Sequence, residues 1–487
     1  MSDTTGSDSG HVVVIGAGIT GLTAAFTLAV HSPNVRVTVI EASGRVGGKI
    51  LTTPFAGRPV DCGADAFLAR VPEARDLCAE LGLSDVLTSP AERSALVWAG
   101  GALRRLPAGL VLGVPTDLDA LAAAGIVSPE GIERAARDLE VTVWPEGQPP
   151  EDPEGNGDLS VGELVRGRLG DEVFEKLAAP LLSGVNAGDA DQLSVAAGAA
   201  QLAGAARSQP SLIMALRAQA QAAREAQPDP DSPVFFGIPV GTQTLTDLLL
   251  SRLTAAGVPV HLDCPATGLA RTRSGWSIAT PLGPITADRV IVATPGPATS
   301  RLLATAAPSV AIRIAELEYA SVAMVTLAVR RSALGHPLDA SGFLVAKTDH
   351  LPTLTACSWA STKWAHLADP DVAILRVSAG RFGDTAALGL DDDELVRALS
   401  SDLATTMGLS EAPVAARVTR WIDGLPQFLP GHLGRVRTWR SELADCAPGL
   451  AIAGAAYDGL GLPACIRQGR RAAFDIAAFD IAAFDIG

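Results

Sequence analysis

The sequence predicts an α/β fold whose parallel sheet is assembled from separated pieces of chain, and three observations predict it. A β-branched run, a glycine-rich turn and an Ala/Leu-rich helical stretch follow one another between residues 11 and 31. Strand and helix signals of the same kind return at 242–293 and again at 450–473. The intervening chain carries Ala-rich helical stretches and long β-branched runs that suit a different unit. The simplest arrangement is a discontinuous nucleotide domain with a second domain built from insertions.

Composition sets the limits. The chain has 487 residues, with 38 Lys+Arg against 53 Asp+Glu and a formal charge of −15. That balance excludes a nucleic-acid binder, because phosphate backbones need surplus cationic surface. With 48% apolar and 19% charged residues, the chain is ordered over most of its length, and two or three units with an extensive core are expected. Lysine occurs only at 49, 176, 347 and 363. The six cysteines include no CxxC pair and do not form a disulfide framework. The seven histidines are scattered, without HExxH, and no metal site is expected.

Taken in order, His11–Ile15 reads as a central parallel strand, Thr20–His31 as a helix and Val35–Ile40 as a second strand ending at Glu41. The span 11–30 has no charged residue and matches the length of a membrane helix, but its glycines mark it as a buried strand plus helix. The flank 1–10 carries Asp3 and Asp8 without a basic residue, a poor signal-peptide start. A soluble, cytoplasmic protein is expected. Residues 72–82 read as a short helix closed by Gly82, and 93–106 as a strand pair around Gly100 and Gly101. The acidic, Pro/Gly-rich 145–158 reads as a surface loop and 227–233 as another break. Helical stretches are expected over 160–182, 195–226 and 242–256, and strands over 258–262, 275–293, 318–330 and 371–380. The tail repeats AAFDI at 472–476, 477–481 and 482–486. It reads as a helix extension or frayed end, with a docking peptide as the alternative.

The chemistry begins at Gly16-Ala17-Gly18-Ile19-Thr20-Gly21, a GxGxxG at a strand-to-helix junction. The first glycine permits a tight turn, the second lets backbone approach a pyrophosphate, and the third lets helix pack on strand. The helix N-terminus then offers unpaired N–H groups and its positive dipole end. Glu41 lies twenty residues after Gly21 at the end of the second strand, where an acid accepts ribose hydroxyls. With Ala42 beside it, this completes a dinucleotide site.

Gly44-Arg45-Val46-Gly47-Gly48-Lys49 follows at once. This second glycine-rich stretch resembles the extended FAD fingerprint of the amine oxidase and phytoene desaturase group of flavoproteins. The segment 288–295 (DRVIVATP) resembles the group's strand and turn near FAD. Leu450–Gly454 leads to Gly459–Pro463 and a helix start, with Pro463 suited to the first turn. That helix N-terminus would favour an anionic reduced flavin. Ala455 stands where many relatives have Asp, which weakens one ribityl or phosphate contact.

End-to-end segments sharpen the resemblance: GAGITGL (16–22), EASGRVGGKI (41–50), DCGADAFL (61–68), PLLSGVNAGDADQLS (180–194), GIPVGTQTL (237–245) and GLGLPACIRQG (459–469). The chain resembles the FAD-dependent protoporphyrinogen/coproporphyrinogen III oxidases, and PLLSGVNAGDADQLS is the most specific element. The resemblance implies a discontinuous Rossmann-like FAD-binding domain (1–90, 234–300, 415–487), an α+β substrate domain (91–110, 301–414) and a mainly helical insertion (111–233). It implies an oxidase that removes six electrons from a porphyrinogen in three FAD turnovers, with O2 as acceptor and H2O2 as product. Product aromaticity leaves little acid–base work, so no catalytic acid or base is assigned.

The same resemblance places Gly63-Ala64-Asp65-Ala66 beside the isoalloxazine, Ala266 at the adenine, Trp421 near the flavin, and Gly461, Leu462 and Pro463 at its pyrimidine end. Asp65 reads equally as a turn-capping acid, and Trp421 equally as a core residue. For substrate it implies Arg93 at a propionate, with a solvated strand-edge Arg as the alternative. It also implies the Gly184 carbonyl at the pyrrole N–H groups, and Asn186 where an aromatic residue is common. Coproporphyrinogen III, with four carboxylates, is the expected substrate. Protoporphyrinogen IX is the alternative, and an amine oxidase or carotenoid desaturase is the further one. No firm membrane attachment is expected; handover to a ferrochelatase belongs to the same expectation, and the oligomeric state is left open.

Overall fold

The structure, a computed structural model, describes residues 10–144, 157–226, 232–349 and 351–478. Residues 145–156 of the expected surface loop, most of the break at 227–233 and the last two AAFDI repeats beyond Ala478 lie outside the described residues.

The strand His11–Ile15 is buried throughout and sits at the centre of a five-stranded parallel sheet. The order is Val260–His261, Arg36–Ile40, His11–Ile15, Arg289–Val292 and Leu450–Ile452, with Val13 facing Thr38 on one side and Val290 on the other. Strands covered on both faces need apolar side chains on both, which is why these runs do not alternate. Helices Ile19–His31, Gln243–Ala255 and Leu462–Ala477 pack on one face through Leu22, Leu28, Leu249 and Ile466. The other face meets a three-stranded meander (Gly268–Thr272, Gly275–Ala279, Ile285–Ala287) and the helix His432–Cys446. Only Val260–His261 of the expected 258–262 is a strand, and the expected pair at 275–293 is three strands, the last turning into the parallel sheet.

A seven-stranded sheet forms the second unit. Its order is Ala415–Pro426, Tyr319–Arg330, Val372–Ala379, Leu354–Trp359, Gly342–Val345, Leu96–Ala99 and Ala102–Arg105. The expected division at 415 therefore does not coincide with a sheet boundary, because Ala415–Pro426 pairs with Tyr319–Arg330 over most of its length. One face, with Val325, Leu327, Leu375 and Val377, packs on the helix Asp392–Met407. The residues alternating with these look the other way.

The helical insertion has its own core around Leu164, Phe174, Leu177, Leu202 and Leu216. The stretch expected as one helix over 160–182 is broken. Val161–Leu169 has a capping box from Ser160 and Glu163 and stops at Gly170. Phe174–Ala178 then forms a π-turn, and Ala179–Asn186 continues as α-helix. Pro180 removes an N–H and crowds the carbonyl four residues back, and a local π register relieves both. The Ala-rich 195–226 likewise divides at Ala199 and Pro210 into Val195–Gly198, Ala200–Ser208 and Leu212–Ala226. Among the described residues no helix is long and apolar enough to cross a membrane. All six cysteines are free thiols.

Candidate functional site

The glycine-rich turn is shaped by its missing side chains. Gly16 has φ +104°, and a Cβ there would stand 2.8 Å from the Ala293 carbonyl oxygen. A Cβ on Gly21 would lie 1.9 Å from the Gly16 carbonyl oxygen. A Cβ on Gly18 would meet nothing within 4 Å. The turn is thus closed at both ends and open in the middle, the cradle a pyrophosphate requires. Ala17, Ile19 and Thr20 are buried beneath it.

Glu41 is held in place by the turn it follows. It accepts hydrogen bonds from the Ala17 N–H (2.7 Å), the Ser43 N–H (2.8 Å) and the Ser43 hydroxyl (2.7 Å). Ala42 beside it is exposed. Cys264 donates its N–H to the Glu41 carbonyl at 2.8 Å, which brings the chain leading to the half-buried Ala266 alongside. The second glycine-rich stretch folds back on the first: the Gly47 N–H donates to the Ala17 carbonyl at 2.8 Å, and Gly48 lies against Gly18. Arg45 spends its guanidinium on the carbonyls of Val46 (3.0 Å), Ile50 (3.1 Å) and Gly48. It organises this loop. Lys49 keeps accessible surface yet is surrounded by protein on most sides, and that desolvation lowers its pKa.

A second helix N-terminus converges on the same place. Gly461 caps the helix Leu462–Ala477, Pro463 sits in its first turn, and a Cβ on Gly469 would come within 2.4 Å of the Thr20 carbonyl. The two helices are therefore in backbone contact, with their N-terminal ends at the carboxyl edge of the sheet, where ligands bind in open α/β sheets. The fully buried His432 braces the turn before Gly461. Its Nε2 lies 2.8 Å from the Tyr457 carbonyl, so that nitrogen carries the proton, and burial pushes its pKa down to about 4.

The loop 62–66 joins this end to the seven-stranded sheet. A Cβ on Gly63 would stand 2.8 Å from the Lys49 carbonyl oxygen and 3.7 Å from the Trp421 ring. Trp421 donates Nε1–H to the Cys62 carbonyl at 3.0 Å. Ala64 is exposed, and its carbonyl accepts from the Thr242 hydroxyl at 2.9 Å. Ala66 is half-buried and packs on the small apolar cluster that contains Trp364 and Phe55. Asp65 caps no turn. Its Oδ2 accepts from Arg376 Nη1 (2.8 Å), Lys363 Nζ (3.1 Å) and Trp364 Nε1 (3.1 Å). Burial raises its pKa, but Lys363 and Arg376 outweigh it and hold the carboxyl well below the usual range. Arg376 also donates to the Gly63 carbonyl. Sequence reasoning missed Arg376 and Lys363, which lie about three hundred residues from the loop and carry no local signal.

One row of cross-strand neighbours extends the site: Leu344, Ala356, Ser378, Met324 and Thr419. Arg376 and Trp421 are two residues from members of this row on their own strands, hence on the same face. At the far end Leu344 meets the insertion, since a Cβ on Gly184 would be 2.9 Å from its Cδ2. Gly184 is exposed in the last turn of Ala179–Asn186, where carbonyls have no partner within the helix. Asn186 is not presented there. It is buried, donates Nδ2–H to the Leu182 carbonyl (3.0 Å) and offers its own carbonyl to Gln427 (3.2 Å). An amide at a helix end satisfies the backbone before it faces a cleft. Arg93 does not begin a strand: it lies three residues ahead of Leu96–Ala99, exposed, with Nη1 3.4 Å from the Ser232 carbonyl. The acids of the 180–194 segment are structural. Asp189 and Asp191 bind Lys347, and Asp191 also takes Arg166 at 3.1 Å, fastening the insertion to the sheet.

Residues 19–477 match the family described as flavin containing amine oxidoreductase. The coproporphyrinogen III oxidase of Bacillus subtilis (strain 168) is 33% identical over 96% of this chain and 97% of its own length. That of Mycobacterium leprae (strain TN) is 36% identical over 94% and 96%. A crystal structure from Exiguobacterium sp. 255-15, assigned as a protoporphyrinogen oxidase, superposes with TM-score 0.84 at 31% identity, covering 97% of this chain and 99% of that one. Putrescine oxidase bound to putrescine shares the fold alone, at TM-score 0.66 and 19% identity over 96% and 99%. The cradle open at Gly18 and closed at Gly16 and Gly21 fits FAD, the cofactor of this fold. The chain belongs to the flavin-containing amine oxidoreductase family.

Proposed function

We propose that this protein oxidises coproporphyrinogen III to coproporphyrin III. The observation that carries the proposal is the sheet row from Leu344 to Thr419, which leads from the loop 62–66 to Gly184. It presents five partly exposed side chains, Leu344, Ala356, Ser378, Met324 and Thr419, across five adjacent strands, a span suited to a macrocycle rather than a narrow amine. The full-length similarity to bacterial coproporphyrinogen III oxidases supports the same reading. Similarity at 30% identity to the protoporphyrinogen oxidase of Bos taurus, over 95% of this chain, favours protoporphyrinogen IX as the second reading.

FAD supplies a two-electron acceptor that O2 reoxidises. Gly16, Gly18, Gly21, Glu41, Gly48 and Gly461 would hold it, with Lys49, Gly63, Ala64 and Trp421 lining its ring end. The chain's own work is orientation and exclusion of water. The sheet row supports the ring, the Gly184 carbonyl accepts from a pyrrole N–H, and Arg93 pairs with a propionate at the rim. The acceptor is O2, and the setting is the cytoplasm, with the porphyrin passed to a ferrochelatase.

The test is porphyrin fluorescence growth in air with coproporphyrinogen III and protoporphyrinogen IX side by side, each against a control without protein. Faster turnover of the four-carboxylate substrate is expected. Preference for protoporphyrinogen IX would move the assignment to the second reading. No acceleration of either by FAD-loaded protein would overturn both.

A further inference from the structure

The loop 62–66 is tied to the seven-stranded sheet by charge. Three donors converge on Asp65 Oδ2: Arg376 Nη1 at 2.8 Å, Lys363 Nζ at 3.1 Å and Trp364 Nε1 at 3.1 Å. The Arg376 side chain is 7% exposed. Its Nη2 donates to the Gly63 carbonyl, while its Nε–H has no partner among the described residues. A strut that only held the loop would need no charge, and a buried cation with an idle donor is a costly strut. Two cations against one anion leave the underside of this loop net positive. Asp61 brings a second carboxyl to the neighbourhood, its pKa raised by burial despite bonds from Thr52 and Thr242. Arg417 adds a further, half-buried cation, held by the carbonyls of Thr53 and Val60 and the Thr326 hydroxyl.

We propose that Arg376 is a positioning residue of the flavin site: it locks the Gly63 carbonyl and Asp65 into one unit, and the balance of Arg376, Lys363 and Asp65 sets how readily the flavin accepts electrons. The proposal rests on the loop 62–66 lying beside the flavin ring. A flavin that gains an electron pair becomes more negative, and a fixed positive surplus in a poorly solvated site favours that state. Removing a cation from the set disfavours reduction, and removing the anion favours it.

The experiment measures the flavin midpoint potential of purified holoprotein by dye equilibration in three variants: R376M, R376K and D65N. Arg376→Met is expected to lower the potential, Arg376→Lys to lower it less, and Asp65→Asn to raise it. Opposite signs at Arg376 and Asp65 are the signature, because loss of a merely mechanical tie would loosen the same loop in both. Shifts of one sign in R376M and D65N, or none, would overturn the proposal. If R376M does not fold, R376K and D65N still carry the sign test. No porphyrinogen is used, so the result does not depend on the substrate assignment; flavin-free protein would instead count against the site itself.

Discussion

At the carboxyl edge of the parallel sheet, the site is made by atoms that are missing. Gly16 and Gly21 leave no space for a Cβ, and Gly18 leaves space that nothing else fills. On the seven-stranded sheet, the site is made by charges that are present. Arg376, Lys363 and Arg417 reach across it to fasten the loop 62–66 and the hairpin Thr52–Phe55/Arg58–Asp61. The first site tolerates no added volume, and the second no lost polarity.

The largest effect is expected from Gly21→Val. Its Cβ would overlap the Gly16 carbonyl, and the loss should exceed about 4 kcal/mol. Purified protein should carry no flavin absorbance. Retention of flavin would break the comparison at its stronger end. Next comes Arg417→Met, which orphans the carbonyls of Thr53 and Val60 and should cost about 3 kcal/mol in denaturant melts. Flavin should remain bound at low temperature, unlike in G21V; equal loss of flavin would show that the two sheets are not separable.

The third prediction concerns pH. His432 has a folded pKa of about 4 against an ordinary value of 6.5. The neutral form is the one the fold accepts. Its contribution is therefore complete above pH 6.5 and is lost as pH falls from there toward 4. At pH 5 the loss should be about 2 kcal/mol. His432→Gln should flatten that slope in melts between pH 8 and pH 5, and an unchanged slope would reject this assignment. The smallest effect is expected from Glu41→Gln, which keeps the shape of the turn and loses the charge. FAD should bind about tenfold more weakly by equilibrium dialysis.

The same contrast explains what could be read in advance. Gly16, Gly18, Gly21 and Glu41 are legible because their spacing is local and each has one backbone duty. The break at Pro180 and the division at Pro210 follow from proline chemistry, yet the Ala-rich composition around them masked both. Asn186 lies in the segment that carries the resemblance, but only the fold shows its side-chain amide donating to Leu182 and its backbone carbonyl taken by Gln427. Arg376 and Lys363 could not be read at all. Nothing in an alternating strand says that one arginine will cross to a carboxylate 311 residues earlier. Charge networks between distant segments are properties of the fold.

The parallel sheet has one consequence for synthesis. Its first strand begins at His11 and its edge strand ends at Ile452, while the helix that packs in backbone contact on Thr20 begins at Leu462. At 5–20 residues per second, the ribosome exposes the N-terminal strand roughly 20 to 90 s before the last strand of its sheet emerges. For that interval a wholly apolar strand and an unfinished phosphate cradle coexist with a growing chain. The site is complete only after the helix Leu462–Ala477 has been made.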